Sequence, residues 1–178
     1  MNSYKPVTPA IIAELRRIVG DAHVIAGDPE KLEVYSHDEI AEKEYAHMPE
    51  CAVKPGSAEE LCAIMKLANR ERVPVTPRGA GSGLSGGAVP VHGGIVLLCD
   101  RMNKVIEFDP ANLTITVEPG LLTNEINAIV KDAGLFFAGY PMSLESCYVG
   151  GNVAENAGGG KAVKYGVTGR YVLGLDVV

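Results

Sequence analysis

Glycine is concentrated in one stretch of this chain, RGAGSGLSGGAVPVHGG at residues 78–94, directly after a β-like run at residues 73–76. Because glycine has no Cβ, such a stretch turns tightly and can direct successive backbone N–H groups into one concavity. A concavity of this kind binds anions, and the biological anion of matching size is a phosphate or diphosphate. Three or four charge-assisted N–H bonds, worth roughly 1.5–3 kcal/mol each, would hold a diphosphate without a lysine. The stretch therefore predicts a nucleotide-cofactor domain.

A second glycine-rich stretch, VGGNVAENAGGG, occupies residues 149–160. Its small residues would let a flat ring or a ribose lie against the backbone. Asn152 and Asn156 are four residues apart, so on a short helix they would share one face, and their amides could recognise carbonyl or imide edges. The alternative is that these two asparagines cap that helix.

Residues 81–86, GSGLSG, match the GxGxxG pattern of Rossmann dinucleotide sites. That site requires a helix that begins at the loop, because the helix N-terminus holds the diphosphate. The residues that follow, GAVPVHGG, are too rich in glycine and proline for such a helix. A P-loop is also excluded, since Gly160-Lys161 is followed by Ala162 where Ser or Thr is required. We therefore expect the loop itself to bind the anion, with Arg78 either assisting or pairing with a carboxylate.

The bulk composition limits the classes to which this protein could belong. Its 178 residues suffice for one or two domains, and 47% hydrophobic with 21% charged residues is ordinary for a globular protein. A formal charge of −6, the absence of Trp and only 6% aromatic residues argue against a nucleic-acid partner. The sequence shows no signal peptide and no apolar run that could form an integral membrane segment, so we expect a cytoplasmic protein.

The cysteines and histidines follow no pattern typical of a metal site or an activated nucleophile. Four cysteines without a CxxC pair are expected to be buried free thiols: Cys51, Cys62, Cys99 and Cys147. His37 and Asp38 could form a base with its orienting acid, but no nucleophile motif accompanies them, and we expect a solvated loop there. We therefore assign no catalytic residue and no metal ligand in this chain.

Capping residues and hydrophobic periodicity predict the helices and strands. Thr8 and Pro9 begin a helix that Gly20 ends, and Ser57 with Glu60 forms a capping box. The predicted helices cover residues 9–19, 58–72 and 121–132. The predicted strands cover residues 23–26, 51–55, 73–76, 95–98, 104–109 and 113–119, the last two as an antiparallel hairpin around DPAN. This order predicts a mixed α+β (α/β) fold.

Two further regions carry expectations of their own. Residues 36–50 show no clean period and are expected to be an irregular connection. The final run, TGRYVLGLDVV at residues 168–178, is apolar and strand-like. A chain that stops within such a run is expected to be the N-terminal fragment of a longer protein. The alternative is a complete small domain whose last strand closes its sheet.

Four motifs together resemble the FAD-binding domain of the FAD-linked oxidase superfamily, which includes vanillyl-alcohol oxidase and p-cresol methylhydroxylase (PCMH). The motifs are PVTPRGAGSGLSGG at 74–87, LTITVEPG at 113–120, VGGNVAENAGG at 149–159 and KYGVTGRYVLGLDVV at 164–178. They occur in the family's order and spacing, and the resemblance covers essentially the whole chain. Within the superfamily, the chain is most similar to a glycolate oxidase subunit and to FAD-dependent D-lactate and D-2-hydroxyglutarate dehydrogenases.

The resemblance implies a PCMH-type fold made of two small α+β subdomains and FAD as the cofactor. The first subdomain would cover about residues 1–100, with a diphosphate loop at 77–87, and a truncated second would cover about 101–178. The substrate cap and C-terminal domain of the family would be absent.

The resemblance also implies the activity. The full-length protein would oxidise a small 2-hydroxy acid by hydride transfer to the flavin and pass the electrons to an acceptor protein or quinone. The present chain alone would bind FAD weakly and be inactive. The alternative is a non-catalytic accessory subunit that binds FAD or another nucleotide within a redox complex.

The resemblance finally implies which residues touch the cofactor. Residues 78–84 would wrap the diphosphate through backbone N–H groups, and Tyr165-Gly166 would close over the cofactor. The complete set of expected cofactor-binding residues is Pro77, Arg78, Gly79, Ala80, Gly81, Ser82, Gly83, Leu84, Pro141, Ser146, Gly150, Gly151, Asn152, Asn156, Ala157, Gly158, Gly159, Tyr165 and Gly166. Where relatives usually show a Pro-Asp-Pro-like turn, this chain has YPMS at 140–143, so Pro141 and Ser146 rest on a poorer match than the first loop.

Overall fold

The computed structural model describes residues 4–40, 45–139 and 141–178, and the chain divides into two compact units, Met1–Arg101 and Met102–Val177. Each unit has its own cluster of buried apolar side chains. Helices and sheets contribute to both units, which confirms the mixed α+β class predicted from the sequence.

The first unit is a four-stranded sheet with helices. In chain order its elements are α1 (Pro9–Val19), β1 (Val24–Ala26), α2 (Pro29–Glu33), β2 (Cys51–Val53), α3 (Ala58–Glu71), β3 (Val75–Arg78) and β4 (Ile95–Leu98). The strand order is β1-β2-β4-β3, in which β2, β4 and β3 are parallel and β1 is antiparallel to β2. The carboxyl ends of the three parallel strands therefore lie at one edge of the sheet.

The alternation of side chains along the strands divides the core of this unit between two faces of the sheet. Val53 and Leu97 belong to the cluster that contains the apolar residues of α1 and α3. Ala52 and Val96 belong to a smaller cluster with Leu32 of α2. Successive strand residues point to opposite faces, so α2 covers the face opposite to α1 and α3. All four residues of β4 are buried, as expected for a strand between parallel neighbours, and the predicted strand at 95–98 is confirmed.

The helices α1 and α3 begin at the capping residues that the sequence predicts. Thr8 Oγ1 accepts a hydrogen bond from the Ile11 N–H at 3.3 Å. Ser57 Oγ accepts one from the Glu60 N–H at 3.3 Å. In a standard capping box the Glu60 carboxylate would accept the N–H of the N-cap residue Ser57. Here Glu60 Oε2 instead accepts the N–H of the preceding residue, Gly56, at 2.7 Å.

Strand β3 begins two residues later than predicted, and the end of α3 explains the shift. Val73 donates its N–H to the Ala68 carbonyl at 2.9 Å, next to Arg72, which ends the helix with a φ of +59°. Since Val73 is tied to the helix in this way, sheet pairing starts with Val75 opposite Ile95.

Between β1 and β2 the structure contains a short helix that the sequence analysis did not predict. Asp28 precedes this five-residue helix, α2, and its Oδ1 accepts from the Lys31 N–H at 3.3 Å. The irregular connection predicted for residues 36–50 has no α-helix or strand in its described parts, 36–40 and 45–50, and residues 41–44 lie outside the described residues.

The second unit consists of a hairpin and three α-helices within its described residues. They are β5 (Val105–Asp109), β6 (Thr114–Val117), α4 (Thr123–Val130), α5 (Val149–Ala154) and α6 (Ala162–Tyr165). The antiparallel pairing of β5 with β6 confirms the predicted hairpin, whose turn is held by Asp109 Oδ1 accepting the Ala111 and Asn112 N–H groups. The helix predicted at 121–132 is present as α4 and ends through a 3₁₀ turn at Gly134.

The prediction of a C-terminal strand at 168–178 is wrong. Residues Thr168–Tyr171 form a 3₁₀ turn, in which the Arg170 N–H donates to the Val167 carbonyl at 3.1 Å, and Thr168 donates its N–H and its hydroxyl to the Ala157 carbonyl. Beyond this turn, the described residues contain no strand that pairs with residues 172–178, and Leu173 is 82% exposed. The apolar residues of 168–178 therefore predicted a strand, but the backbone of this segment pairs with no other strand among the described residues.

Replacement of Gly94 by alanine should destabilise the chain more than the same change at Gly27. Both glycines have positive φ, +70° and +74°, which costs an alanine about 1–2 kcal/mol. At Gly94 the added Cβ would also overlap the Pro74 carbonyl oxygen, whereas nothing lies within 4 Å of a Cβ at Gly27. We expect Gly27→Ala to lower the free energy of unfolding by about 1 kcal/mol and Gly94→Ala by about 3 kcal/mol in urea titrations. An equal decrease in the free energy of unfolding for both variants would show that the close approach of Gly94 to Pro74 does not contribute to stability.

Candidate functional site in two glycine-rich segments

The first glycine stretch connects two parallel strands at the edge of the sheet where ligands usually bind. Residues 79–94 leave the carboxyl end of β3 and return to the start of β4, and they contain no helix or strand. In open α/β sheets, ligands bind outside the carboxyl ends of the strands. The absence of a helix at this loop confirms that a Rossmann dinucleotide site is excluded.

Several backbone donors of this loop are left for a ligand. Among the described residues, no protein acceptor takes the N–H groups of Ala80, Gly81, Gly83 and Leu84. Gly81 has a φ of +77°, and a Cβ at this position would overlap the Arg78 guanidinium. Glycine is therefore required here by both conformation and space. Diphosphate oxygens only accept hydrogen bonds, so they complement this set of donors.

The Arg78 side chain is used inside the protein. It is 8% exposed, and its guanidinium donates to the carbonyls of His37 at 2.6 Å and Val34 at 3.2 Å. The guanidinium carbon also lies 5.9 Å from the centre of the Tyr35 ring. Burial lowers the pKa of Arg78, while the negative charge of Asp38 acts in the opposite direction. Neither alternative from the sequence analysis describes these bonds, since the side chain binds backbone carbonyls.

Asp38 is buried, so the expectation of a solvated loop is wrong for this residue. It is 4% exposed, with Oδ2 accepting the Gly86 N–H at 2.8 Å and Oδ1 accepting the Ile40 N–H at 3.0 Å. The next residue, Glu39, donates its N–H to the Gly83 carbonyl at 3.0 Å. His37 is exposed, as expected. Residues 34–40, hereafter the strap, thus bind the glycine loop at Gly83 and Gly86 and bind Arg78 at its base.

In the second unit, the first two glycines of the other stretch have different environments. The Gly150 N–H donates to the Pro119 carbonyl at 2.8 Å, and a Cβ on Gly150 would lie 2.7 Å from the Pro119 Cβ. Gly150 is therefore required by close packing. A Cβ on Gly151 would meet nothing within 4 Å, so this position is open.

The structure does not place Asn152 and Asn156 on one helix face. Helix α5 ends at Ala154, and Asn156 follows with a φ of +52° and its Oδ1 accepting the Gly169 N–H at 2.8 Å. Asn152 is 5% exposed, and its Nδ2 donates to Thr123 Oγ1 at 2.5 Å. The prediction of a shared face is wrong because the chain turns left-handed after the helix. The alternative of a capping role is confirmed for Asn156, whose left-handed backbone ends α5: its N–H donates to the Val153 carbonyl at 3.3 Å, and the Ala157 N–H donates to the Asn152 carbonyl at 2.9 Å.

The residues after α5 are bound to the segment that follows α6. The Ala157 carbonyl accepts both bonds from Thr168, and a Cβ on Gly158 would lie 2.9 Å from Val167 Cγ1. Gly166 ends α6 with a φ of +87°. The structure therefore places the expected site residues 156–158 against residues 167–169, which directly follow the expected residues 165–166.

The remaining expected residues have simpler surroundings. Pro141 is buried, Ser146 is exposed with its hydroxyl donating to the Ser143 carbonyl at 3.2 Å, and Tyr165 packs edge-on against Phe136 at 5.5 Å. The unusual turn noted at 140–143 includes Tyr140, which lies outside the described residues.

Sequence reasoning missed Thr123 and considered Asp38 only as an acid beside His37, without its contact to the loop. Asp38 reaches the loop from 48 positions earlier in the chain. Thr123 is fully buried and joins Asn152 to the Cys147 carbonyl, to which its hydroxyl donates at 3.1 Å. No local pattern marks either residue, because both bonds join segments that are far apart in the sequence.

With this geometry in view, comparison with known proteins identifies the family. The sequence pattern of a family described as FAD binding domain matches residues 49–178. The chain belongs to the FAD binding domain family. This membership confirms the resemblance stated above and FAD as the cofactor.

Curated relatives of this FAD binding domain carry names from the predicted group. The chain is 43% identical over 145 residues to glycolate oxidase subunit GlcD of Bacillus subtilis (strain 168), a match that covers 82% of this chain and 30% of the relative. It is 41% identical over 175 residues to D-lactate dehydrogenase of Anaerostipes hadrus, covering 98% of this chain and 36% of the relative. The chain thus spans about a third of the length of these relatives.

Solved structures confirm the fold of the FAD binding domain. A structure of p-cresol methylhydroxylase with substrate bound matches 76% of this chain and 29% of its own with a TM-score of 0.64 at 26% identity. A structure of alkyldihydroxyacetonephosphate synthase matches 97% of this chain and 33% of its own with a TM-score of 0.84. At 22% identity, the second likeness concerns the fold alone. Among the described helices, none has both the length and the apolar character needed to cross a membrane.

Cys51 should resist thiol reagents in the folded chain. It is fully buried, and burial, with a smaller effect of the Glu50 charge, raises its pKa from 9.0 to about 12. Three pH units correspond to about a thousandfold less thiolate, the reactive form. Mass spectrometry after iodoacetamide treatment at pH 8 should find Cys62, which is half-buried, labelled well before Cys51.

The raised pKa of Cys51 also predicts that the free energy of unfolding falls at alkaline pH. The unfolded chain releases the Cys51 proton near pH 9 and the folded chain only near pH 12, so this contribution to stability is complete below pH 9 and disappears between these values.

Denaturation should expose all four thiols equally. Rapid labelling of Cys51 in the native state would contradict its burial.

Proposed function

We propose that this chain is the FAD-binding part of a flavin-dependent oxidoreductase that oxidises a small 2-hydroxy acid of the glycolate, D-lactate or D-2-hydroxyglutarate type. The names of two relatives, a glycolate oxidase subunit and a D-lactate dehydrogenase, support this substrate class. FAD, when bound, supplies the acceptor for the hydride that leaves the α-carbon of the acid. We further propose that the enzyme acts in the cytoplasm, where thiols stay reduced, and delivers electrons to an acceptor protein or quinone.

One observation carries the assignment of the loop to the cofactor. The N–H groups of Ala80, Gly81, Gly83 and Leu84 have no protein acceptor among the described residues, although the backbone on either side is ordered by hydrogen bonds. Ala80 and Leu84 are exposed and Gly81 and Gly83 are partly exposed, so water satisfies these donors in the free chain, and an anion that accepts the same bonds can replace that water. Four such bonds to an anion, at roughly 1.5–3 kcal/mol each, would contribute about 6–12 kcal/mol before the cost of binding.

The charges around the loop are compatible with an anionic group. Asp38 is the buried carboxylate of this region, and both of its oxygens accept backbone N–H groups. The Arg78 guanidinium interacts electrostatically with it, so the two charges offset each other. The loop amides can therefore receive a diphosphate without an uncompensated buried charge beside it, and the other carboxylate near Arg78, that of Glu39, is exposed to solvent.

The residues of the second unit are proposed for the remainder of the cofactor, as the family resemblance implies. Gly151 offers open backbone, and the glycines at 158–160 donate to no protein acceptor among the described residues. The amide nitrogen of Asn152 is used by Thr123, so we expect this residue to support the backbone of α5. No residue of this chain is assigned a catalytic role.

FAD should bind this chain weakly and through the loop. Ligands of this size gain at most ~0.3 kcal/mol per heavy atom, so about 50 atoms give ~15 kcal/mol. If this chain supplies about half of the contacts, about 7 kcal/mol remains, and the dissociation constant is about 10 micromolar or weaker. Gly81→Ala should weaken FAD binding by about tenfold or more, since its Cβ overlaps Arg78 and shifts the loop amides.

Gly27→Ala is the matched control for this titration. Gly27 also has a positive φ, but it lies between β1 and α2. The FAD affinity of this variant should stay within about twofold of the parent. Flavin fluorescence quenching would measure all three constants. A nanomolar constant for the parent chain would contradict the weak binding, and an unchanged constant for Gly81→Ala would contradict the role of the loop.

The oxidoreductase itself is tested in a protein that contains this chain together with the remaining two thirds of its relatives. Anaerobic addition of glycolate, D-lactate or D-2-hydroxyglutarate should bleach the visible absorption of the bound flavin, because the hydride reduces it. Dithionite, which reduces any accessible flavin, is the positive control, and L-lactate tests the stereochemical preference. Bleaching by dithionite with none of the three acids would favour the non-catalytic accessory subunit.

A further inference from the structure

We infer that Asp38 is a positioning residue, which holds the glycine loop in the shape that receives the diphosphate by fixing the Gly86 N–H. This inference rests on the proposed function. It adds a residue outside the glycine motif, about 40 positions before the first free amide of the loop, to the determinants of cofactor affinity.

Each of the two carboxylate oxygens of Asp38 accepts one backbone N–H. Oδ2 accepts the Gly86 N–H at 2.8 Å and Oδ1 accepts the Ile40 N–H at 3.0 Å, while the residue is 4% exposed. An asparagine has one oxygen for these two donors, and its NH₂ group would face the second N–H. A buried donor left without an acceptor is unfavourable, so the loop would move away from that position.

The strap is hydrogen-bonded to the chain both before and after the free amides of residues 80, 81, 83 and 84. Arg78 precedes them and donates to the strap carbonyls of Val34 and His37. Gly83 and Gly86 bind the strap through the Glu39 N–H and the Asp38 carboxylate. The backbone between these attachment points has few remaining conformations, so the entropy cost of ordering it is met during folding and not on ligand binding.

The alternative is that Asp38 serves stability alone. In that case its replacement would lower the free energy of unfolding but would leave FAD affinity unchanged in molecules that remain folded. The two roles therefore separate when loop order and ligand affinity are measured on the same folded variants.

The test compares Asp38→Asn and Asp38→Glu with the parent chain. NMR would follow hydrogen exchange of the Gly86 amide without ligand, and titration with FAD would give the dissociation constant. In Asp38→Asn we expect the Gly86 amide to exchange about tenfold faster or more and the FAD constant to rise by a similar factor, the loss of one charge-assisted bond. Asp38→Glu keeps the carboxylate and should lie between the parent and Asp38→Asn in both quantities.

Glu33→Gln is the matched control. It removes one negative charge from an exposed side chain of α2, five positions before Asp38, and should change neither quantity by more than about twofold. Circular dichroism would establish that each variant is folded. If Asp38→Asn does not fold, Asp38→Glu is used for the test. In that variant, the exchange rate of the Gly86 amide and the FAD dissociation constant must rise together if the inference holds.

Each outcome has a distinct meaning. Faster exchange at Gly86 together with weaker FAD binding supports the inference. Faster exchange with unchanged FAD affinity, or unchanged exchange in Asp38→Asn, overturns it. If the parent chain shows no FAD binding at millimolar concentration, the proposed function of the loop fails, and titration of the loop amides with inorganic pyrophosphate then decides the inference by the same criterion.

Discussion

The conformation of the loop after β3 depends on hydrogen bonds from Arg78 and Asp38, two buried charged residues that order a glycine-rich backbone without using its binding groups. Arg78 donates to carbonyls of the strap, and Asp38 accepts from the loop at Gly86. Since these bonds consume none of the N–H groups of residues 80, 81, 83 and 84, the donors remain for a ligand. A loop ordered instead by its own amides would have no donor left for an anion.

This arrangement requires the sheet beneath it. Apolar β4 is buried between β2 and β3, and its parallel pairing with β3 places both ends of the loop at fixed positions. The close approach of Gly94 to Pro74 sets where the loop returns to the sheet. The strap reaches the loop from the stretch between α2 and β2, so it belongs to the same unit and shares its core. The affinity proposed for the loop is in this sense a property of the whole first unit.

The two glycine stretches show that one residue type meets two different requirements. In the first stretch, Gly81 is needed for a positive φ beside amides that have no protein acceptor among the described residues. In the second, Gly150 and Gly158 are needed because Pro119 and Val167 leave no space for a Cβ. A glycine motif therefore does not by itself identify contact with a ligand. The family membership supports a cofactor role for both stretches, and the packing explains why some of their glycines would be retained even without direct contact.

The sequence alone determined much of the local structure, because capping residues, apolar strands and glycine spacing act over a few residues, and its motifs identified the family and the cofactor by resemblance. The caps Thr8 and Ser57, the hairpin around Asp109 and the lack of a helix after Gly86 were all predictable in this way. Tertiary structure alone decided the burial of Asp38, the separation of Asn152 from Asn156 and the irregular C-terminal run. Each of these depends on partners distant in the chain or on a left-handed turn, and neither the hydrophobic period nor the residue type records such partners.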